Sequence, residues 1–221
     1  MQYDVHDFDI DKLEHGITRL FVPSKGRFVH RTTISYLIGT IGRPSLMKTI
    51  ESIELQPGDE ILINYKAEPP GTWGHTERNE LMGVSACAWL SFIDDDDWYL
   101  PGHRAIQEDA ILTQPGGRDV PTIFKMRFLD GTTIWDDAKR DPNRPERPDL
   151  MCGNVGTPML MMPNIPHMLG TFGMRYVGDF DFINGCKWPR RLHYWRPEVL
   201  VQVGNNPRGA QTQYIDFQKE S

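Results

Sequence analysis

Residues 88–93 (Ala88, Trp89, Leu90, Ser91, Phe92, Ile93) form an almost unbroken apolar run that ends in four consecutive aspartates, Asp94, Asp95, Asp96 and Asp97. A run of this kind reads as a strand buried on both faces, as in a parallel sheet covered by helices. Such a strand ends where its chain leaves the core, so the carboxylates collect at the carboxyl edge of the sheet, where open α/β sheets bind ligands. Four adjacent like charges repel one another unless a cation sits among them, and all-oxygen ligands favour a hard ion such as Mg²⁺ or Mn²⁺. The commoner fate of an acidic block is a solvated loop. Here the block leads straight into Trp98, Tyr99, Leu100 and Pro101 instead of polar low-complexity sequence. It is not an EF-hand loop either, because Tyr99 stands where the sharp-turn glycine belongs and no glutamate closes it. A metal bridging a substrate phosphate fits the run better than a structural calcium.

The residues before it supply the rest of such a sheet. Residues 1–30 are polar, mixed and without period, which predicts an irregular arm. Residues 32–38, rich in β-branched and aromatic side chains, predict a first strand. Gly39, Thr40, Ile41, Gly42 and Arg43 follow as a loop, and Pro44 suits the first turn of a helix carrying Leu46, Ile50 and Ile53 on one face. Residues 60–64 form the next strand, which completes a strand–helix–strand unit. After a glycine-bearing loop at 71–75, Thr76 is expected to cap a helix over residues 77–87.

The second half changes character. Residues 122–128 and 132–135 flank Asp130 and Gly131, a hairpin signal. Residues 140–149 are rich in proline and charge and predict a mobile loop. Residues 159–162 read as a strand, 165–172 as a helix, 179–184 as a short helix and 198–203 as a last strand.

Bulk properties narrow the function. A chain of 221 residues with 39% hydrophobic content can build one large core. The formal charge of −6 gives no electrostatic footprint for nucleic acid, although a local basic patch would still permit it as an acceptor. Cys87, Cys152 and Cys186 are odd in number and lack CxxC spacing, which argues for reduced thiols and a cytoplasmic setting. No secretory leader and no membrane-length apolar stretch is visible.

Four segments, taken in order, resemble a known family. They are Ile38 to Arg43 after the first strand, Arg78 and Asn79 in the following helix, Phe92 to Asp97 with Pro101 behind it, and Gly178, Asp179, Phe180, Asp181 and Phe182. Across roughly residues 32–200 this order is similar to the GT-A fold glycosyltransferases, in particular the family 2 type. The resemblance implies an α/β fold of GT-A type. That fold pairs a Rossmann-like nucleotide-binding half on a mixed central sheet with an acceptor-binding half carrying a small antiparallel element. The division that follows is an N-terminal arm (1–31), one catalytic domain (32–203, with a donor half at 32–101 and an acceptor and catalytic half at 102–203) and a C-terminal tail (204–221).

The resemblance also implies a hexosyltransferase-like activity that moves a sugar from a nucleoside-diphosphate sugar, a UDP-sugar first, to an unidentified acceptor hydroxyl. Thr40 and Arg43 would touch the nucleoside, Arg78 the nucleobase or diphosphate, and Asp94 or Asp95 the ribose. Asp96, in the family's DXD position, would hold Mn²⁺ or Mg²⁺, with His193 as a further metal ligand. Asp179 would be the catalytic base, with Asp181 as the alternative, and inversion at the anomeric carbon would follow. Two departures stand out: Gly178 replaces the family's glutamate before the base, and Asn64, Tyr65 and Lys66 stand where an acidic residue commonly holds uracil.

Each assignment has a plainer counterpart. Asp179 after a glycine can be a helix cap. His193 can be a buried core histidine. Trp188, Tyr194 and Trp195 can be core aromatics instead of a sugar platform. Two other functions stay open at this level: a nucleotidyltransferase on the same kind of sheet, and a sugar-nucleotide-binding module without catalysis.

Overall fold

The computed structural model describes residues 9–12, 16–23, 31–66, 74–133, 140–141, 144–148, 150, 153–174, 177–189 and 192–204. Its spine is three parallel strands, β3 (Ile34–Thr40), β4 (Glu60–Tyr65) and β5 (Trp89–Phe92). Every residue of β3 and β5 is buried, as expected of strands covered on both faces. Helix α1 (Leu46–Glu51) follows β3, α2 (His75–Val84) follows β4, and α3 (His103–Leu112) follows the two-residue strand β6 (Trp98–Tyr99). Gly39 lets α2 start close against the sheet, since a Cβ there would stand 3.1 Å from Glu77 Cβ and 3.3 Å from the Gly74 carbonyl oxygen.

The amino edge of the spine is pinned by a buried ion pair. Arg104 Nε of α3 bonds Asp59 Oδ2 at 2.7 Å, and Asp59 also accepts from the backbone N–H groups of Ile34 and Gln56. That leaves the carboxyl edge to carry ligand chemistry.

Beyond β5 the sheet becomes mixed. Strand β10 (Leu160–Pro163) runs antiparallel between β5 and β7 (Thr122–Arg127). Strand β11 (Tyr194–Gln202) lies parallel to β7, and β6 closes the edge antiparallel to β11. The carboxyl ends of β3, β4, β5, β7 and β11 therefore share one edge with the amino ends of β10 and β6. A last helix, α4 (Gly178–Gly185), packs Phe182 and Ile183 into the core.

Several expectations are corrected. The supposed irregular arm holds two strands, β1 (Asp9–Lys12) and β2 (Ile17–Phe21), and β2 pairs antiparallel with β4 to make a nine-stranded sheet in the order β1-β2-β4-β3-β5-β10-β7-β11-β6. Thr76 lies inside α2 and does not cap it; the N-cap is Gly74 in the left-handed region. Of the hairpin expected after β7, the described residues hold an isolated antiparallel bridge between Arg127 and Thr133, with the Asp130 carboxylate accepting from the backbone N–H and hydroxyl of Thr132 in the turn, and residues 134–135 lie outside the described residues.

Within residues 140–149, β8 (Arg140–Asp141) and β9 (Arg144–Pro148) form a small antiparallel sheet where a mobile loop was expected. The helix expected over 165–172 is only a 3₁₀ turn at Pro166–Met168. Gly170 there lies against α4 so closely that a Cβ would fall 2.1 Å from Phe182 O, and tertiary contact overrides the helical pattern. Residues 71–73 of the glycine-bearing loop, Arg190, Arg191 and residues 205–221 lie outside the described residues. Among the described residues no helix is long and apolar enough to cross a membrane.

Candidate functional site

Thr40 ends β3, and its hydroxyl donates to Asp95 Oδ2 at 2.6 Å while accepting from the Gly42 N–H at 2.9 Å. Gly42 sits at φ 85°, so the loop turns back over the strand end and brings Arg43 to the acidic run. One guanidinium nitrogen of Arg43 bridges two carboxylates, 2.7 Å from Asp95 Oδ1 and 3.0 Å from Asp96 Oδ2. Burial opposes the Arg43 charge, but Asp96, Asp95 and Asp94 outweigh it and hold its pKa above the ordinary arginine value.

Arg78, one turn into α2, ion-pairs with Asp94. Burial works against this guanidinium too, and Asp94 followed by Asp179 reverses the effect, so its pKa also rises. The cation that the aspartate run demands is therefore provided at least in part by two arginines.

Asp97 is treated differently. Its Oδ1 accepts from the backbone N–H of Gly204 at 2.9 Å, and the Thr49 hydroxyl donates to its carbonyl at 2.6 Å. Burial, then the neighbouring Asp94 charge, raise its carboxyl pKa well above the usual range. Gly204, just past β11, is tightly seated: a Cβ would fall 1.8 Å from Asp96 O.

Asp179 lies in the first turn of α4 and meets the segment that leads into β10. Both its oxygens are bound by Thr157, whose hydroxyl donates to Oδ1 and whose N–H donates to Oδ2 at 3.1 Å. Burial raises the Asp179 pKa, against the lowering effect of Arg78 and the Thr157 hydroxyl, and Asp94 adds a further upward push. Arg78 thus pairs with Asp94 and also feels Asp179, a carboxylate 101 positions further along the chain.

An aromatic stack supports this region. Phe172 lies on Phe182 at 4.2 Å and on His75 at 5.7 Å, with Phe92 edge-on to both phenylalanines. Asn79 fixes Phe172 by bonding both its N–H (2.9 Å) and its carbonyl (3.1 Å).

The structure brings Thr40, Arg43, Arg78, Asp94, Asp95, Asp96 and Asp179 to one edge. Asp181 points instead toward the 170–174 segment, where a Cβ on Gly173 would be 2.9 Å from its Oδ2. His193 is not brought there. It precedes β11, whereas Gly204, beyond the other end of that nine-residue strand, touches the acidic run. Because β11 bulges twice against β7, its ends are separated only by the span from Thr122 to Arg127, on the order of 17 Å at about 3.3 Å per extended residue. His193 is a buried residue of the far edge, 1% exposed, and leaves the ligand set.

Among the described residues no group of three or more His, Cys, Asp or Glu side chains is placed to hold a metal. What the edge offers is two partly open carboxylates, Asp94 (35% exposed, on the buried Arg78) and Asp96 (18% exposed, on Arg43, which is itself 44% exposed). That donor set fits an ion that takes its remaining ligands from a diphosphate and water, and does not fit an all-protein cage.

His75, Thr49, Thr157 and Gly204 are missed by sequence reasoning. Thr157 reaches Asp179 across 22 residues and Gly204 reaches Asp97 across 107, so no local signal marks them. Neither Cys87 nor Cys186 offers a nucleophile, since burial pushes their thiols up to about 12 and about 11.

No protein-family profile matches the sequence, and no curated protein matches it either. Solved structures do match in fold. TarS of S. aureus superposes with a TM-score of 0.56 at 9% identity, over 79% of this chain and 37% of TarS. Its residues 1–349 in complex with UDP give a TM-score of 0.53 at 10% identity, and in complex with UDP-GlcNAc 0.52 at 9%. Each of these two covers 79% of this chain, which spans 61% and 59% of their own length. TarS is a glycosyltransferase, and this chain has a glycosyltransferase-like fold.

Proposed function

We propose that this chain is a glycosyltransferase of the GT-A type, similar to family 2. It would move a sugar from a nucleoside-diphosphate sugar, a UDP-sugar first, to an acceptor hydroxyl in the cytoplasm. The observation that carries this reading is the meeting of Asp94, Asp95, Asp96, Arg78 and Asp179 at the carboxyl edge of a sheet whose fold is shared with a protein solved with UDP and UDP-GlcNAc.

Thr40 and Arg43 would face the nucleoside, and Asp95, already oriented by Thr40, the ribose. Arg78, nearly buried and held at Asp94, would meet the diphosphate as an oriented donor. Asp96 would hold Mg²⁺ or Mn²⁺; such an ion, when bound, neutralises charge on the leaving diphosphate as a Lewis acid. Asp179 would take the proton from the acceptor hydroxyl as that oxygen attacks the anomeric carbon. Two features suit it to that role, since burial raises its basicity and Thr157 fixes its plane. With no enzyme nucleophile between sugar and acceptor, the configuration inverts.

A melting-temperature screen of nucleoside diphosphates and their sugars, with Mn²⁺ and with EDTA, tests the donor site, because a ligand of the native state raises the melting temperature by mass action. Stabilisation by one nucleotide is expected, lost with EDTA and in Asp96→Ala. Asp179→Asn should keep that stabilisation while abolishing transfer. A cooperative melt that no nucleotide shifts would sink the reading.

A further inference from the structure

His75 opens α2 and is 2% exposed, although histidine is one of the less fully buried side chains. Its ring is stacked at 10° on Phe172, which Asn79 clamps in place. On its Nε2 side α4 approaches so closely that a Cβ on Gly178 would stand 2.5 Å from Nε2 and 2.7 Å from Gly173 O. Glycine at 178 is what admits the imidazole, so the two positions act as one steric unit. On its other side Nδ1 lies 3.3 Å from the Arg78 guanidinium.

A guanidinium has only donors. The contact is therefore attractive only when Nδ1 is the acceptor, which makes the imidazole neutral with its proton on Nε2. Arg78 is then held at two nitrogens, Nη1 by His75 and Nη2 by Asp94. The choice of a neutral acceptor matters. The carboxylates of Asp94, Asp179 and Glu77 already act on Arg78, and a further one would add negative charge where an anionic ligand is to bind. An imidazole orients the guanidinium and leaves its charge intact.

We propose that His75 is a positioning residue that fixes Arg78 as the docking point for the donor diphosphate, a role that rests on the nucleotide-sugar reading above. The test is the affinity of UDP with Mg²⁺, measured by calorimetry for the wild type, Arg78→Met, His75→Phe and His75→Asn. Phenylalanine keeps the stack and loses the acceptor, whereas the asparagine Oδ1 can stand where Nδ1 does. Loss of a hydrogen bond to a charged group corresponds to about ten-fold in binding. Arg78→Met and His75→Phe should each bind UDP about ten-fold more weakly, and His75→Asn should recover most of the loss.

Wild-type affinity in His75→Phe beside a weakened Arg78→Met overturns the proposal alone. An asparagine variant as weak as phenylalanine does the same, because packing and not acceptance would then be the cause. A wild type that binds no UDP or other nucleoside diphosphate overturns the functional reading and the proposal together. Independently of any ligand, imidazole ¹⁵N shifts at neutral pH should show the Nε2–H tautomer for His75. The opposite tautomer or an imidazolium overturns the proposal even if the phenylalanine variant fails to fold.

Discussion

Thr157→Val probes the proposed base through a side chain that does not itself take the proton. Thr157 is 2% exposed, and valine matches its shape, so no cavity opens. The change deletes the hydroxyl that donates to Asp179 Oδ1 and keeps the backbone N–H on Oδ2 at 3.1 Å. A hydrogen bond to a charged group contributes about 1.5–3 kcal/mol. This one favours the ionised carboxylate, which burial already disfavours. Its loss therefore raises the Asp179 pKa further, and a base with a higher pKa is protonated at pH values where the wild type is active. At about 1.36 kcal/mol per ten-fold, kcat/KM on the acid limb should fall by about ten- to a hundred-fold. The deficit should shrink as pH rises and the carboxylate ionises again. The assay is kcat/KM for sugar transfer from about pH 5 to about pH 9, with UDP affinity and melting temperature as controls and Thr157→Ser as the restoring variant. A profile that superimposes on the wild type would refute the coupling, and a uniform loss at every pH would show that Thr157 orients the carboxylate without setting its basicity.

Asp97→Asn should stabilise the protein at neutral and alkaline pH. Burial, then Asp94, raise the native Asp97 pKa above its unfolded value, so stability present below the unfolded pKa is lost as pH rises through the folded one. Asparagine stays neutral and can still accept from Gly204 N–H. Its melting temperature should exceed the wild type's near pH 8 and converge with it toward pH 4, roughly the ordinary carboxylate range, and a lower value near pH 8 would contradict the shift. Gly204→Ala should destabilise by about 1–3 kcal/mol in denaturant unfolding, because the added methyl group meets the fixed Asp96 carbonyl and not a movable side chain. Wild-type stability in that variant would refute the seating of the β11 end on the acidic run.

What the sequence discloses follows from how local each cause is. Strands β3 and β5 are legible because every residue on them is buried, so the apolar run itself is the signal. Strand β2 is not, because Ile17–Phe21 includes Thr18 and Arg19, and Arg19 is satisfied only from far away, by Glu60 at 2.8 Å and the Val84 carbonyl at 3.0 Å. Apolar spacing over 165–172 suggests a helix, yet Pro166 and the contact of Gly170 with α4 turn it into a packing strip. Arg43 and Arg78 could be named from motif order. Thr157 and His75 could not, since the contacts that define them join segments that the sequence keeps apart.

The acidic run shows why the same charge pattern was informative and incomplete. Repulsion among four aspartates called for a cation, and the fold answers with two guanidiniums that divide the run between them. Asp94 goes to Arg78, while Asp95 and Asp96 share Arg43, and burial drives Asp97 toward its neutral form. Within the run two of the four charges are thus offset and a third is suppressed, leaving about one on the Asp95–Asp96 pair, of which Asp96 is the more open, while Asp179 adds its own carboxylate beside Arg78. One carboxylate charge is too little to strip a hydrated Mg²⁺ or Mn²⁺ of most of its water, but it suffices for an ion that arrives with a diphosphate. On the proposed reading, the protein's own arginines keep the edge folded before ligand binds, and the ion and the nucleotide complete its charge balance together.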